Sequence, residues 1–363
     1  MILLLESFIQ KSNFSNMSNS IKHLLVIRSS AMGDVAMTIP VLLAFRESFP
    51  NVKITVLTKV FFTPFFEKIP NLEVKFFETE TTHKGILGIQ NLAKELKLEA
   101  VDAIADLHNV LRTNILKNLL WFSGIPFKQI DKGRTEKKAL TSWEEKVFKP
   151  LKSTHQRYVD VLRSLGFDFD FSQKKHFLQK EPIPLEIQSL IGYNTQKWIG
   201  IAPFAQHEGK VYSLELLTKV IDGLNQTKHY KIVLFGGGTE EVQKLKTLEN
   251  TFEQVLSVAG RLDLSQELNL ISNLDLMLSM DSSNGHIAAM YGIPVITIWG
   301  VTHPYTGFTP YGQTEENSIT PNLTTYPKIP TSVYGNKVPA GYKNAINSIS
   351  PQTIINKIAD LTQ

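Results

Sequence analysis

IKHLLVIRSSAMGDV, Ile21 to Val35, decides how the rest of the chain is read. Its first half, Ile21 to Arg28, is a short run of branched apolar residues, the composition of a strand buried on both faces. Ser29 to Asp34 is small and polar, and a helical pattern then continues to Phe49. Strand, tight loop and helix follow one another in that order. The unit recurs. Val52 to Leu57 and Glu73 to Phe77 read as strands, Lys84 to Lys97 as an amphipathic helix and Val101 to Asp106 as a strand, with helices over Thr113 to Phe122 and Gln156 to Leu165. Such alternation predicts a mostly parallel sheet with helices on both faces.

From Ser172 to Gln196 the pattern gives way to polar residues around Pro182 and Pro184, as expected of a connection with a helical piece inside it. A second series follows. Strands are expected at Trp198 to Pro203, Lys231 to Phe235, Val255 to Val258, Leu276 to Met280 and Val295 to Trp299. Helices are expected at Ser213 to Asn225, Glu240 to Leu248, Leu264 to Ser272 and Gly285 to Tyr291. Past Gly300 the chain is rich in Pro, Thr, Tyr and Asn up to Tyr342, and Pro351 to Leu361 reads as a last helix with proline in its first turn. The 363 residues are more than one core usually fills. The expected division is an extension over 1–20, a domain over 21–172, a linker over 173–196, a second domain over 197–345 and a C-terminal helix over 346–363.

Composition excludes several function classes. The chain is 42% hydrophobic and 20% charged, as in a globular protein, and its net charge of +4 lacks the density of a nucleic-acid binder. Cysteine is absent, which removes disulfides, thiolate catalysis, cysteine-based zinc sites and iron–sulfur ligation, and is compatible with a reducing compartment. No apolar run approaches the ~18 residues a membrane span needs. The start, MILLLESFIQ, has too short an apolar stretch for a signal peptide and Glu6 interrupts it; a frayed extension is expected, with Met17 as an alternative start to Met1.

Ligands of open parallel sheets gather at the carboxyl ends of strands. Four loops lie there. In Arg28 to Val35, Gly33 would permit a tight backbone, and Asp34 is either a helix-start carboxylate or a base. In Ala202 to Lys210, Lys210 is either a solvated lysine or a point charge for a phosphate. In Gly236 to Glu241, three glycines would let a ligand approach the backbone, and a glutamate opening the next helix would accept ribose hydroxyls; neither GxGxxG nor a P-loop is present. In MDSSNGHIAAMYGIPVITIWG, Met280 to Gly300, the residues Asp281, Ser282 and Ser283 sit at a strand-to-helix junction and form either an N-cap or an anion site. His286 reads as a packed histidine rather than a metal ligand, because no cluster at ligand spacing accompanies it.

Taken together, RSSAMGDVAMTIPVL, VDAIADLHNVLRT, HQRYVDVLRSLG, GGGTEE and DSSNGHIAAMYGIPVITIWG resemble the ADP-heptose:lipopolysaccharide heptosyltransferases of glycosyltransferase family 9, over about Ile21 to Gln363. The resemblance implies an α/β protein of GT-B type, two doubly wound Rossmann-like domains facing across a cleft. The acceptor would be held by the N-terminal domain and the nucleotide sugar by the C-terminal one, and the last helix would pack back on the N-terminal domain. Matched residue by residue, Asp34 falls on the family's general base, Lys210 on the lysine meeting the donor phosphates, and Glu241 or neighbouring Glu240 on the glutamate reaching the ribose. Asp281, Ser282 and Ser283 fall on an Asp-Ser/Thr-Gly triplet at the diphosphate, and His286 on its closing histidine. Ser283 replaces the usual Gly, and Val301 replaces the first Pro of Gly-Pro-Thr-x-Pro.

The reaction so implied is inverting transfer from an ADP-sugar such as ADP-heptose to a lipid-linked glycan, with no metal or cofactor, in the cytoplasm or at the cytoplasmic face of the inner membrane. Gly33, Arg112, Arg134, His155 and Arg157 lie in the presumed acceptor half, where they would meet phosphates or sugar acids or serve as surface charges. Phe61-Phe62-Thr63-Pro64-Phe65-Phe66 reads either as a transient membrane contact or as a helix packed on the first sheet. Two rival readings remain at this stage: a sugar-nucleotide epimerase on the same plan, and a nucleotide-binding protein without turnover.

Overall fold

The computed structural model describes residues 20–192 and 196–363. The expected extension falls outside them except for Ser20. The described chain forms two compact units, one made of residues through Lys132 with Thr154–His176, the other of Gly133–Ser153 with Phe177–Gln363.

The first unit is built on β1 (His23–Ile27), which the branched run above places at the centre of a sheet, buried along its whole length. Each fully buried Leu or Ile there contributes about 1.5–3 kcal/mol of transfer free energy. The chain continues through α1 (Met32–Ala36), α2 (Thr38–Ser48), β2 (Lys53–Thr58), β3 (Leu72–Phe76), α3 (Gly85–Leu98), β4 (Ala103–Asp106), α4 (Leu111–Leu120) and β5 (Phe127–Gln129). After an excursion into the other unit it returns as α5 (Thr154–Arg163). The sheet runs β3-β2-β1-β4-β5 with every pairing parallel. Helices α3 and α4 share one apolar cluster with the sheet, and α2 packs against α5.

The second unit contains α6 (Arg134–Leu140), α7 (Leu185–Ile191), β6 (Lys197–Ala202), α8 (Leu214–Thr227), β7 (Tyr230–Leu234), α9 (Thr239–Thr251) and β8 (Val255–Ser257). It continues with α10 (Leu264–Ile271), β9 (Leu276–Met280), α11 (Ser283–Met290), β10 (Val295–Ile298), β11 (Ser318–Ile319) and α12 (Pro351–Leu361). Its all-parallel sheet reads β8-β7-β6-β9-β10-β11. That is the 3-2-1-4-5-6 order of a dinucleotide-binding domain, and the order reverses between β6 and β9. Among the described residues no helix is long and apolar enough to cross a membrane.

Several expectations change. Residues 133–153 belong to the second unit rather than the first. Lys146 Nζ donates to the Leu140 and Pro330 carbonyls at 2.7 and 2.8 Å, the Leu151 N–H donates to Tyr305 O, and Phe148 packs on His303 and Tyr305. The break near the second proline-rich stretch comes at Phe177, not over a 173–196 linker; α7 there buries Ile187 and Ile191. The C-terminal helix packs on α8 inside the second unit, where its i, i+4 pair Ile354 and Ile358 joins that unit's core. Finally, the Phe61–Phe66 segment is a 3-10 turn, Val60–Phe65, with Phe62, Phe65 and Phe66 buried and Phe61 exposed. Phe65 is a core residue, so substituting it reports on folding, not on a membrane.

Candidate active site

In the first unit the sheet order reverses between β1 and β4, and the loops leaving these two strands meet there. Arg28, the first residue past β1, is buried and reaches both loops. Its Nη1 donates to the Leu107 carbonyl at 2.7 Å and its Nη2 sits 2.5 Å from Asp34 Oδ2. Arg28 also lies over the Tyr158 ring, whose hydroxyl donates to the Asp34 carbonyl at 3.3 Å. Asp34 is therefore held through Oδ2 and its side chain remains one quarter exposed. Gly33 lies within α1, where its carbonyl accepts the Met37 N–H, and it is not among the positive-φ glycines. The expected tight backbone at Gly33 is ordinary helix.

His108 completes this loop pair. Ser29 Oγ and Ser30 Oγ each lie 3.2 Å from one of its ring nitrogens. Burial, with Arg28, Lys132, Lys59 and Arg112 nearby, pushes its pKa down to about 3, so the ring is neutral. Asp106 at the end of β4 accepts the His108 and Asn109 N–H groups at 2.9 Å each and fixes the turn. His155 and Arg157 are buried on α5, and Arg157 donates to the Asp131 carbonyl at 3.1 Å, so neither is a surface charge. Arg112 is exposed, 4.0 Å from Glu80. Arg134 opens α6 and so belongs to the second unit, not to the first where it was expected.

In the second unit the corresponding reversal brings the ends of β6 and β9 together. Lys210, in a 3-10 turn after β6, has Nζ 2.9 Å from Asp281 Oδ2 and donates to Asp281 O at 3.1 Å. Both side chains are largely buried, which sets aside a solvated lysine. Ser282 occupies the N-cap position of α11, yet its hydroxyl caps nothing and is buried without a partner. A buried hydroxyl in that state costs about 1–3 kcal/mol. Ser283 is the first residue of α11 and His286 is buried one turn later. The α11 helix approaches β9 closely because Gly285 has no side chain; a Cβ there would lie 2.6 Å from Ser279 Oγ. Of the two glutamates, Glu241 folds onto the glycine loop and accepts the Gly237 N–H at 2.9 Å, while Glu240 is exposed.

Three glycines tighten the chain around Lys210. A Cβ on Gly300 would lie 2.0 Å from Gly209 O, one on Gly209 2.6 Å from Gly335 O, and one on Gly335 2.5 Å from Lys210 Cγ. Gly209 O also accepts the Val301 N–H at 2.9 Å. A proline at 301 could not make that bond, which accounts for Val301 in the Gly-Val-Thr-His-Pro stretch. Gly300→Ala must therefore displace the Lys210 turn. We expect a loss of about 1–3 kcal/mol, read in a thermal melt as a fall of several degrees; an unchanged midpoint would mean the turn yields freely.

Residues 89–336 match the family described as glycosyltransferase family 9 (heptosyltransferase). The chain belongs to this family. It is 23% identical over 339 residues to lipooligosaccharide heptosyltransferase 2 of Campylobacter jejuni subsp. jejuni, a match covering 91% of this chain and 96% of that one. The glycosyl transferase family 9 structure from Veillonella parvula superposes with a TM-score of 0.73 at 20% identity, covering 94% of this chain and 97% of that one. Escherichia coli ADP-heptose LPS heptosyltransferase II gives 0.66 at 18%, covering 94% and 98%. The fold is thus GT-B, and the chain is a glycosyltransferase. Arg28 and His108 lie inside the quoted stretches RSSAMGDVAMTIPVL and VDAIADLHNVLRT, but neither was singled out as a site residue. Their position just past β1 and β4, the two strands flanking the reversal, was the signal available.

Proposed function

We propose that this family 9 enzyme moves a heptose or related sugar from an ADP-sugar to a lipopolysaccharide core or similar lipid-linked glycan, inverting the anomeric centre. The observation that carries the reading is the buried Lys210–Asp281 pair beside the unpartnered Ser282 hydroxyl at the start of α11. A diphosphate there would meet an ammonium, a hydroxyl and unsatisfied helix N–H groups at once. Glu241 on the glycine loop would take the ribose. The names of the relatives in C. jejuni and E. coli support heptose as the sugar, ADP as the nucleotide and lipopolysaccharide as the acceptor.

Transfer asks two things of these side chains. The acceptor hydroxyl must lose its proton as it attacks, and Asp34 Oδ1 would take it while Arg28 holds Oδ2. The departing ADP gains charge, which Lys210 and the α11 N-terminus would offset. Fixed protein charge then does what a metal clamp does elsewhere, so full activity is expected in excess EDTA; loss of activity restored by magnesium would overturn that part. Thermal shift with ADP, UDP and GDP tests the nucleotide, since a ligand at 100 times its Kd stabilises the folded state by about 2.7 kcal/mol. ADP should give the largest shift. Nucleoside diphosphate release only in the presence of acceptor would separate transfer from epimerisation and from binding without turnover.

A further inference from the structure

His108, the second residue past β4, is held between two consecutive serines of the loop after β1. Ser29 Oγ lies 3.2 Å from its Nδ1 and Ser30 Oγ 3.2 Å from its Nε2. Ser29 and His108 are buried, whereas Ser30 is only partly so. Burial keeps the ring neutral, helped by the cations Arg28, Lys132, Lys59 and Arg112 around it. A neutral imidazole donates from one nitrogen and accepts at the other, so one serine gives its proton to the ring and the other receives one. The partners decide which. Among the described residues, His108 is the only hydrogen-bond partner of either hydroxyl. Were Nδ1 the protonated nitrogen, the buried Ser29 hydroxyl would have nowhere to place its own proton, a state that folded chains avoid. Every buried group is satisfied when Ser29 donates to Nδ1 and Nε2 donates to Ser30 Oγ. The unused proton of this relay is then that of Ser30, at its open end. A hydroxyl that already accepts a hydrogen bond is the stronger donor for it.

The relay and Asp34 share one frame. Arg28 bonds both Asp34 and the carbonyl of Leu107, the residue before His108, and Asp34 stands four residues after Ser30. Asp106 fixes His108 from its own strand by accepting its N–H. The loops after β1 and β4 flank the reversal of strand order, where ligands of such sheets bind. A sugar that gives one hydroxyl proton to Asp34 still presents neighbouring oxygens with lone pairs, and a carboxylate has no proton to offer them. A hydroxyl donor in the same stretch does.

We propose that the Ser30 hydroxyl donates a hydrogen bond to an oxygen of the acceptor sugar, with His108 as the positioning residue that aims it. The proposal rests on the transfer reading, in which Asp34 stands on the acceptor side. The experiment measures transfer from ADP-heptose to lipopolysaccharide of a heptose-deficient strain, with the acceptor concentration varied. In Ser30→Ala the acceptor KM should rise about five- to tenfold, more than kcat falls, while the donor KM stays in place. His108→Asn keeps an amide level with Nδ1 but does not reach Ser30, and it should match Ser30→Ala. His108→Gln places an amide nitrogen level with Nε2 and should bring the acceptor KM back near that of wild type. Nitrogen NMR of the ring, with the His108→Gln spectrum identifying its signals, should show the Nε2–H tautomer in the protein without ligands. The Nδ1–H tautomer, an unchanged acceptor KM in Ser30→Ala, or equal defects in His108→Asn and His108→Gln would each overturn the proposal and leave the transfer reading standing. Absence of transfer by wild type would overturn that reading, and the proposal with it.

Discussion

Asp34→Asn and Asp34→Ala are each expected to lower kcat by about two to four orders of magnitude, the range a positioned general base supplies. The reasoning starts from Arg28. Its two bonds, to Leu107 O and to Asp34, tie the carboxylate to the ends of β1 and β4 through Oδ2. Asparagine keeps the shape and a contact with Arg28 but removes the proton acceptor. ADP binding, proposed to use residues of the other unit, should be unaltered in the same variants. Turnover near the wild-type rate in both would remove Asp34 as the base; lost ADP binding would mean the substitutions act through folding.

The second large effect is expected at Lys210. Lys210→Met keeps much of the aliphatic stem that packs beneath Gly335 and removes the charge. Loss of one preorganised stabiliser of developing charge costs about 10²–10³ in kcat. It also leaves Asp281 buried without its counter-charge, a situation that costs about 3–5 kcal/mol in other buried pairs. The two losses are separable. The double variant Lys210→Met/Asp281→Asn should recover most of the melting midpoint while remaining slow, because the buried charge has gone and the leaving group is still unassisted. Recovery of rate along with stability would assign Lys210 a structural role only.

The strand-forming runs and the four carboxyl-end loops were readable in the chain because both are local. Branched apolar residues between Gly and polar punctuation mark β1, β2, β6, β7 and β9 whatever surrounds them. The short edge strands β5 and β11, of three and two residues, carry no such run and were not anticipated. The membership of 133–153 was hidden for a different reason: it depends on pairs such as Lys146 with Pro330, which share no local pattern. Asp281 and Lys210 were legible as candidates, but their pairing was not, since it arises from β6 and β9 becoming neighbours across intervening strands. Arg28 and His108 stand in stretches that were read, but the meeting of their loops was not, since it comes from the adjacency of β1 and β4.

The excursion of residues 133–153 also bears on how the chain is made. The bond from Lys146 to Pro330 spans 184 residues of sequence. During synthesis, Trp143, Lys146 and Phe148 emerge long before Tyr305, Lys328 and Pro330 exist to receive them. The first unit can be completed once His176 has emerged, whereas the second must keep its earliest segment waiting until the C-terminal third is available. Closing so long a loop makes this a late, non-local step. The apolar side chains of the waiting segment are then a place where a nascent chain would need protection from association.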